Sequence, residues 1–247
     1  MNIDNNAMHS IVQAFTRSAA DDLKQNSSEN NFVTNIGEDL YSWNYIFGDI
    51  ANAAQNHGLR YIVVDRSKIW NFVAVLSQDE EELLLFFKEK TLKSILSNIE
   101  DKPFHYLNCL LIKNMDLNGT ETSYQYNLFE EYDTVEKEEI GRKRFVEARE
   151  MLNEDFDKIK RIYVCSKEEA MGTVSSVKMK LFTGYGGLVK SEDVTSLISL
   201  DYDTISAISD YIEKTPTIPK LKKEFKDKNK STIPNQKRYE ENENENK

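Results

Sequence analysis

Three apolar runs in close succession constrain this chain most. They are Tyr61–Val64 (YIVV), Phe72–Leu76 (FVAVL) and Leu83–Phe87 (LLLFF). Each is continuous rather than alternating, and a strand that is apolar on both sides is covered on both faces. Short polar turns separate them, Asp65-Arg66-Ser67 and Ser77-Gln78-Asp79-Glu80. The pattern predicts strands over Arg60–Asp65, Lys68–Leu76 and Glu82–Lys88, paired as a central antiparallel meander with helices above and below.

Helical spacing surrounds this meander. Met8, Ile11, Phe15, Ala19 and Leu23 predict a first helix over Asp4–Lys24. Polar Gln25–Thr34 reads as a loop. Asn35 then suits an N-cap with Glu38 three residues on, a variant of the capping box. The stripe Leu40, Trp43, Phe47, Ile50, Ala54 follows, and Gly58 supplies the positive φ that ends a helix. Shorter helices fit Thr91–Ile99 and Phe104–Met115, broken at Asp101-Lys102-Pro103.

The second half repeats the order of helix, three strands and helix, without a residue-level repeat. A helix over Val135–Lys160 carries the stripe Phe145, Ala148, Leu152, Phe156, Ile159. Strands follow over Arg161–Cys165, Thr173–Thr183 and Gly187–Lys190. Val177, Met179 and Leu181 alternate with Lys178 and Lys180, so this sheet region has one wet face. Gly184, Gly186 and Gly187 make a hairpin turn. A last helix fits Asp203–Lys214, and Pro216, Pro219 and Pro234 punctuate a tail expected to be disordered. The fold class is α+β. The expected divisions are a first half over 1–115, a connecting segment over 116–133, a second half over 134–214 and a tail over 215–247. Tyr124, Tyr126, Leu128 and Phe129 suggest that the connecting segment docks on the body. The two halves make either two small units or one shared sheet.

Charge is unevenly placed. The formal net charge of the 247 residues is −10. The last 34 residues sum to +4, which leaves the body at −14. An acidic body repels phosphate at long range, so any nucleic-acid contact must use a local patch or the basic tail. In that tail Lys220, Lys222, Lys223, Lys226, Lys228 and Lys230 surround Phe225, which suits stacking on a base. Two cysteines, Cys109 and Cys165, make no disulfide framework, and three histidines make no His-rich metal site. There is no secretory signal and no apolar run of membrane length, so the cytoplasm is the expected compartment.

Strong catalytic signatures are missing: no Walker A motif, no dinucleotide fingerprint, no nucleophile elbow and no zincin helix. One catalytic alternative stands on the first half. A helix, three antiparallel strands and a helix resemble the skeleton of restriction-endonuclease-like nucleases. Such enzymes place carboxylates and a lysine on a central hairpin to hold Mg²⁺ and activate water. Asp65, Glu89 and Lys90 are the candidates here. A hairpin centred near residues 79–80 pairs Glu89 near Trp70. That leaves Asp65 five positions away, roughly 17 Å at ~3.3 Å per residue. His105 and Cys109 share a helix face, but Cys109 lies in an apolar run where thiols are inert. The carboxylates at 79–82 read as a solvated hairpin tip.

Several segments also carry a resemblance. They are Phe104–Leu111 (FHYLNCLL), Gln125–Phe129 (QYNLF), Asp155–Lys160 (DFDKIK), Val174–Leu181, Ser191–Val194 and Leu197-Ile198. In this order, across residues 35–200, the chain resembles a family of bacterial proteins of unknown function. That family is common in AT-rich Gram-positive bacteria and their plasmids and prophages. The resemblance implies no activity and no functional residue; it implies a mobile-element setting. The expected function is a non-catalytic interaction protein in phage defence or host regulation. It binds protein or nucleic acid, not membrane, and needs no cofactor. The alternatives are the Mg²⁺-dependent nuclease and a toxin-like effector.

Overall fold

The computed structural model describes residues 1–30, 37–67, 70–118, 134–170 and 173–198. Six strands form one sheet in the order of the sequence: β1 (Tyr61–Ser67), β2 (Trp70–Leu76), β3 (Glu82–Lys88), β4 (Arg161–Ala170), β5 (Thr173–Phe182) and β6 (Leu188–Asp193). Both halves therefore share one sheet. The meander is as expected, with β1 and β2 in register as Val64↔Phe72 and β2 and β3 as Val75↔Leu84. The next joint was not foreseen. β3 and β4 are parallel, Leu85 beside Val164, and the chain between them crosses over the sheet. A continuous apolar run suits a strand in this parallel, doubly covered position. β5 and β6 complete the sheet antiparallel, as expected of the hairpin.

Helices cover the two faces differently. On one side lie α1 (Asn5–Thr16), α2 (Ala20–Glu29) and α3 (Glu38–Asn56). Phe15 of α1 meets Phe86 of β3 with ring centroids 5.2 Å apart, and Trp43 of α3 at 6.3 Å. The buried Lys167 of β4 donates to the Phe15 carbonyl at 3.1 Å, so a cation sits at the last turn of α1. On the other side lie α4 (Glu89–Ser97), α5 (Tyr106–Leu110) and α6 (Thr134–Leu152). Phe87 faces this layer and Phe86 the first, as strand alternation requires. Leu83, Leu84, Leu85 and Val164 are all at most 1% exposed, so the middle of the sheet is the core.

The helix boundaries correct the sequence reading in four places. The first helix breaks after Thr16, where Arg17 turns extended at ψ 139°. Arg17 there pairs with Asp22 and with Asp49 of α3, a long-range tie invisible to local periodicity. The segment expected as a loop at 25–29 continues α2, while 31–36, including Asn35, lies outside the described residues. The helix expected over 104–115 is the short α5 followed by a 3₁₀ turn at Leu111–Asn114. The helix expected to Lys160 ends at Leu152; Ala148, Leu152, Phe156 and Ile159 of the expected stripe are buried, but Arg144 takes the place expected for Phe145. Arg144, Ala148 and Leu152, four residues apart, are buried, whereas Phe145 is 43% exposed.

Gly58, at φ +70°, does end α3 as expected. The tip at 79–82 is more than solvated charge. Asp79 accepts from Ser77 and Asn2, and those hydrogen bonds hold its carboxyl down to about 2. Glu80 pairs with Arg60 and Lys158, and Glu81 with Lys160. The tip thus fastens the N-terminus and the approach to β4. The connecting segment's aromatics, the last helix and the tail lie outside the described residues.

Candidate functional site

One row of side chains crosses the sheet beneath α4 and α5. It runs Val64, Phe72, Phe87, Ser166, Lys178, Asp193, apolar at the β1 end and polar at the β6 end. By the β2–β3 register Phe72 and Phe87 stand opposite each other, but the ladder between these strands is formed only near the turn. Tyr106 of α5 packs where the strands part. Its ring lies 4.7 Å from that of Phe72 and stacks on Phe87 at 5.6 Å. The Arg66 guanidinium sits over the same ring at 4.8 Å, a cation–π contact.

His105 completes this cluster. Its ring is 4.4 Å from that of Tyr106, and its Nδ1 accepts from the Leu107 N–H at 3.3 Å, which caps α5. Burial, then Arg66, then Lys102 push its pKa from 6.5 down to about 4. Two cations therefore converge on this ring inside an acidic protein. Burial also raises the Tyr106 hydroxyl well above its ordinary range. Cys109, one turn on, has a thiol pushed up to about 11 by burial, partly offset by Arg144 and Arg66. A protonated thiol at neutral pH is a poor nucleophile.

The lowered His105 pKa makes a pH prediction. The fold favours the neutral ring, so the unfolded chain takes up the proton first. This contribution to stability is complete above pH 6.5 and is lost as pH falls from 6.5 towards 4. Measured by urea denaturation across that window, the stability of wild type should fall relative to that of His105→Gln as pH falls. A constant difference between them would overturn the assignment.

The carboxylates expected to share a metal are distributed otherwise. Asp65 lies on β1 opposite Asn71, exposed. Glu89 opens α4, and both its oxygens accept from Lys180 of β5 at 2.7 Å. Burial raises the Glu89 carboxyl, but Lys180, Ser166 and Lys93 outweigh it and the net shift is downward. β5 lies four strands from β1, roughly 19 Å at ~4.8 Å per strand, so Glu89 leans away from Asp65. Lys90 is exposed beside it. Among the described residues no group of three or more His, Cys, Asp and Glu side chains is placed to hold a metal. A Glu89 already engaged by an ammonium does not fit a shared Mg²⁺ site. The Lys220–Lys230 cluster and Phe225 lie outside the described residues. Sequence reasoning missed Tyr106, Arg66 and Lys180, because each acquires its partner only through the sheet.

Taken together, the molecule is an α+β protein built on one mixed six-stranded sheet with helices on both faces. The chain belongs to a family of unknown function, DUF5986, which matches residues 1–238. No curated protein and no solved structure matches it. Among the described residues no helix is long and apolar enough to cross a membrane.

Proposed function

We propose that this protein is a non-catalytic interaction protein that binds nucleic acid through the Tyr106 cluster. Its setting is a mobile element, in phage defence or host regulation, as the family resemblance implies. One observation carries the reading: the parting of β2 and β3 is packed by Phe72, Tyr106 and Phe87 and capped by Arg66. On the restriction-endonuclease-like skeleton this central hairpin would hold the carboxylates. Here Phe72 and Phe87, 4% and 3% exposed, are the buried support of the hairpin, and what it presents outward is the exposed Arg66 guanidinium and, through Lys102, a second cation. Phe104, 44% exposed and next in the chain to His105 of the cluster, is the ring open to a base. Aromatic faces and cations together suit single strands, whose bases are free to stack.

The acidic body limits this contact to short range. With two phosphate-directed cations, Arg66 and Lys102, the logarithmic salt slope on single strands should be shallow, about −1.4. The test is a gel assay with labelled single- and double-stranded DNA and RNA, in Mg²⁺ or chelator. A shift without cleavage is expected. It should weaken at least tenfold in Arg66→Ala/Tyr106→Ala and persist in the chain ending at Lys214. A shift lost with the tail would move binding to residues 215–247. Metal-dependent cleavage abolished by Glu89→Ala would overturn the proposal in favour of the nuclease.

A further inference from the structure

We propose that the outer edge of β1 is a docking site for an extended segment of a partner protein, which adds to the sheet as a seventh strand. The proposal is independent of nucleic-acid binding, since it uses the edge and the opposite face of the strand. Main-chain geometry supplies the first argument. The Leu76 N–H donates to the Arg60 carbonyl at 2.9 Å, and β1 then pairs in register as Ile62↔Ala74 and Val64↔Phe72. Successive residues of an antiparallel strand point their N–H and C=O to alternate sides. Arg60, Ile62 and Val64 therefore face β2, while Tyr61 and Val63 present theirs outward. Among the described residues no strand and no hydrogen-bonding group meets Tyr61 or Val63 on that side.

The two edges of the sheet are treated differently. β6 carries Lys190, Glu192 and Asp193 within six residues, the charged dressing that blunts a free edge. β1 carries no charge over Tyr61–Val64. Val63 is 56% exposed, more than any other large apolar side chain of the strands. The irregularity between Asp65 and Ser67 ends the regular edge, so about four residues are available to pair. A shallow, open depression adjoins this edge, bordered by Gln55, Gly58, Leu59, Arg60, Tyr61 and Val63. A strand paired with Val63 would turn every second side chain to this face. Bare main-chain groups, an exposed valine and a shallow depression beside them match a strand with one aliphatic side chain to lay against Val63.

Charge selects the occupant. Two copies pairing antiparallel about Val63 would set Arg60 of each opposite Arg66 of the other. They would also bring together two chains of formal net charge −10. An uncharged strand meets neither penalty, and in that register a lysine at each end falls one position beyond Arg60 and Arg66, where it favours the acidic body. The probe is the peptide acetyl-KTVTLTVTK-amide, added to the full chain labelled with ¹⁵N. Saturable binding is expected, with slowed exchange at the Tyr61 and Val63 amides. N-methylation of alternate peptide residues and, separately, Val63→Asp should each weaken it at least tenfold. Val63→Asp changes an exposed side chain, and circular dichroism verifies its fold. Equal binding of the N-methylated peptide, no binding, or protection of both amides in the protein alone would overturn the proposal. A concentration-dependent doubling of mass by light scattering, abolished by Val63→Asp, would overturn it in favour of a second copy.

Discussion

Asn114→Leu is expected to cost about 3–6 kcal/mol, more than any other single change at a buried polar side chain here. Asn114 is 0% exposed and its amide is fully used. Nδ2 donates to the Ile162 carbonyl at 2.9 Å and to the Phe182 carbonyl at 2.8 Å. Oδ1 accepts from the Ile162 N–H at 3.0 Å. By the β4–β5 register Ile162 and Phe182 stand opposite each other, so this side chain replaces the end of the ladder. Leucine would fill the space and strand three main-chain groups. For roughly 200 residues each kcal/mol moves Tm by ~2–4 °C, so a fall of roughly 6–24 °C follows. The control is Asn108→Leu. Asn108 is equally buried, but its Oδ1 has no partner and its Nδ2 makes one hydrogen bond, to the Lys102 carbonyl. Its loss should be about 1–2 kcal/mol. Equal losses at the two sites would show that burial, not hydrogen bonding, sets the cost.

Arg144→Met should come next, at about 3–5 kcal/mol. The guanidinium is 6% exposed and grips main chain rather than a carboxylate. Nε donates to the Asn108 carbonyl and Nη2 to the Gly184 carbonyl, each at 2.8 Å. One side chain of α6 therefore holds α5 to the β5–β6 turn. The joint is tight: a Cβ on Gly184 would meet the Met115 sulfur at 2.1 Å and its Cα at 3.0 Å. Methionine keeps the stem and loses the fork, which leaves both carbonyls unpaired. Lysine should rescue only part of the loss, because one ammonium lacks the fork geometry. A urea midpoint for Arg144→Met within ~1 kcal/mol of wild type would reduce Arg144 to filler.

These two residues also mark where sequence reasoning ends. What rests on local pattern was legible: the three apolar runs, the α3 stripe, the stop at Gly58, the alternation of Val177 with Lys178. What rests on distant partners was not. Arg144 stands beside Phe145, and periodicity favours the aromatic; only the hydrogen bonds to Asn108 and Gly184 explain why arginine is buried. Arg17 ends α1 through Asp49, 32 residues away. Glu89 finds Lys180 91 residues on, across a parallel joint no short window shows. The candidate site divides the same way. Phe72 and Phe87 were read as core, and they are buried. That Tyr106 lies between them, under Arg66, depends on where α5 lands.

The parallel joint between β3 and β4 has a consequence in time. Glu82 pairs beside Arg161, so 78 residues separate the ends of the joint. At ~5–20 residues per second, a ribosome needs roughly 4–16 s to make that stretch. During those seconds Leu83–Phe87, the most apolar strand of the molecule, has one edge and no neighbour for it. A newborn chain is then a half-built sheet with a sticky side. Its yield in the cell is governed by how that interval is shielded as much as by the stability of the finished fold.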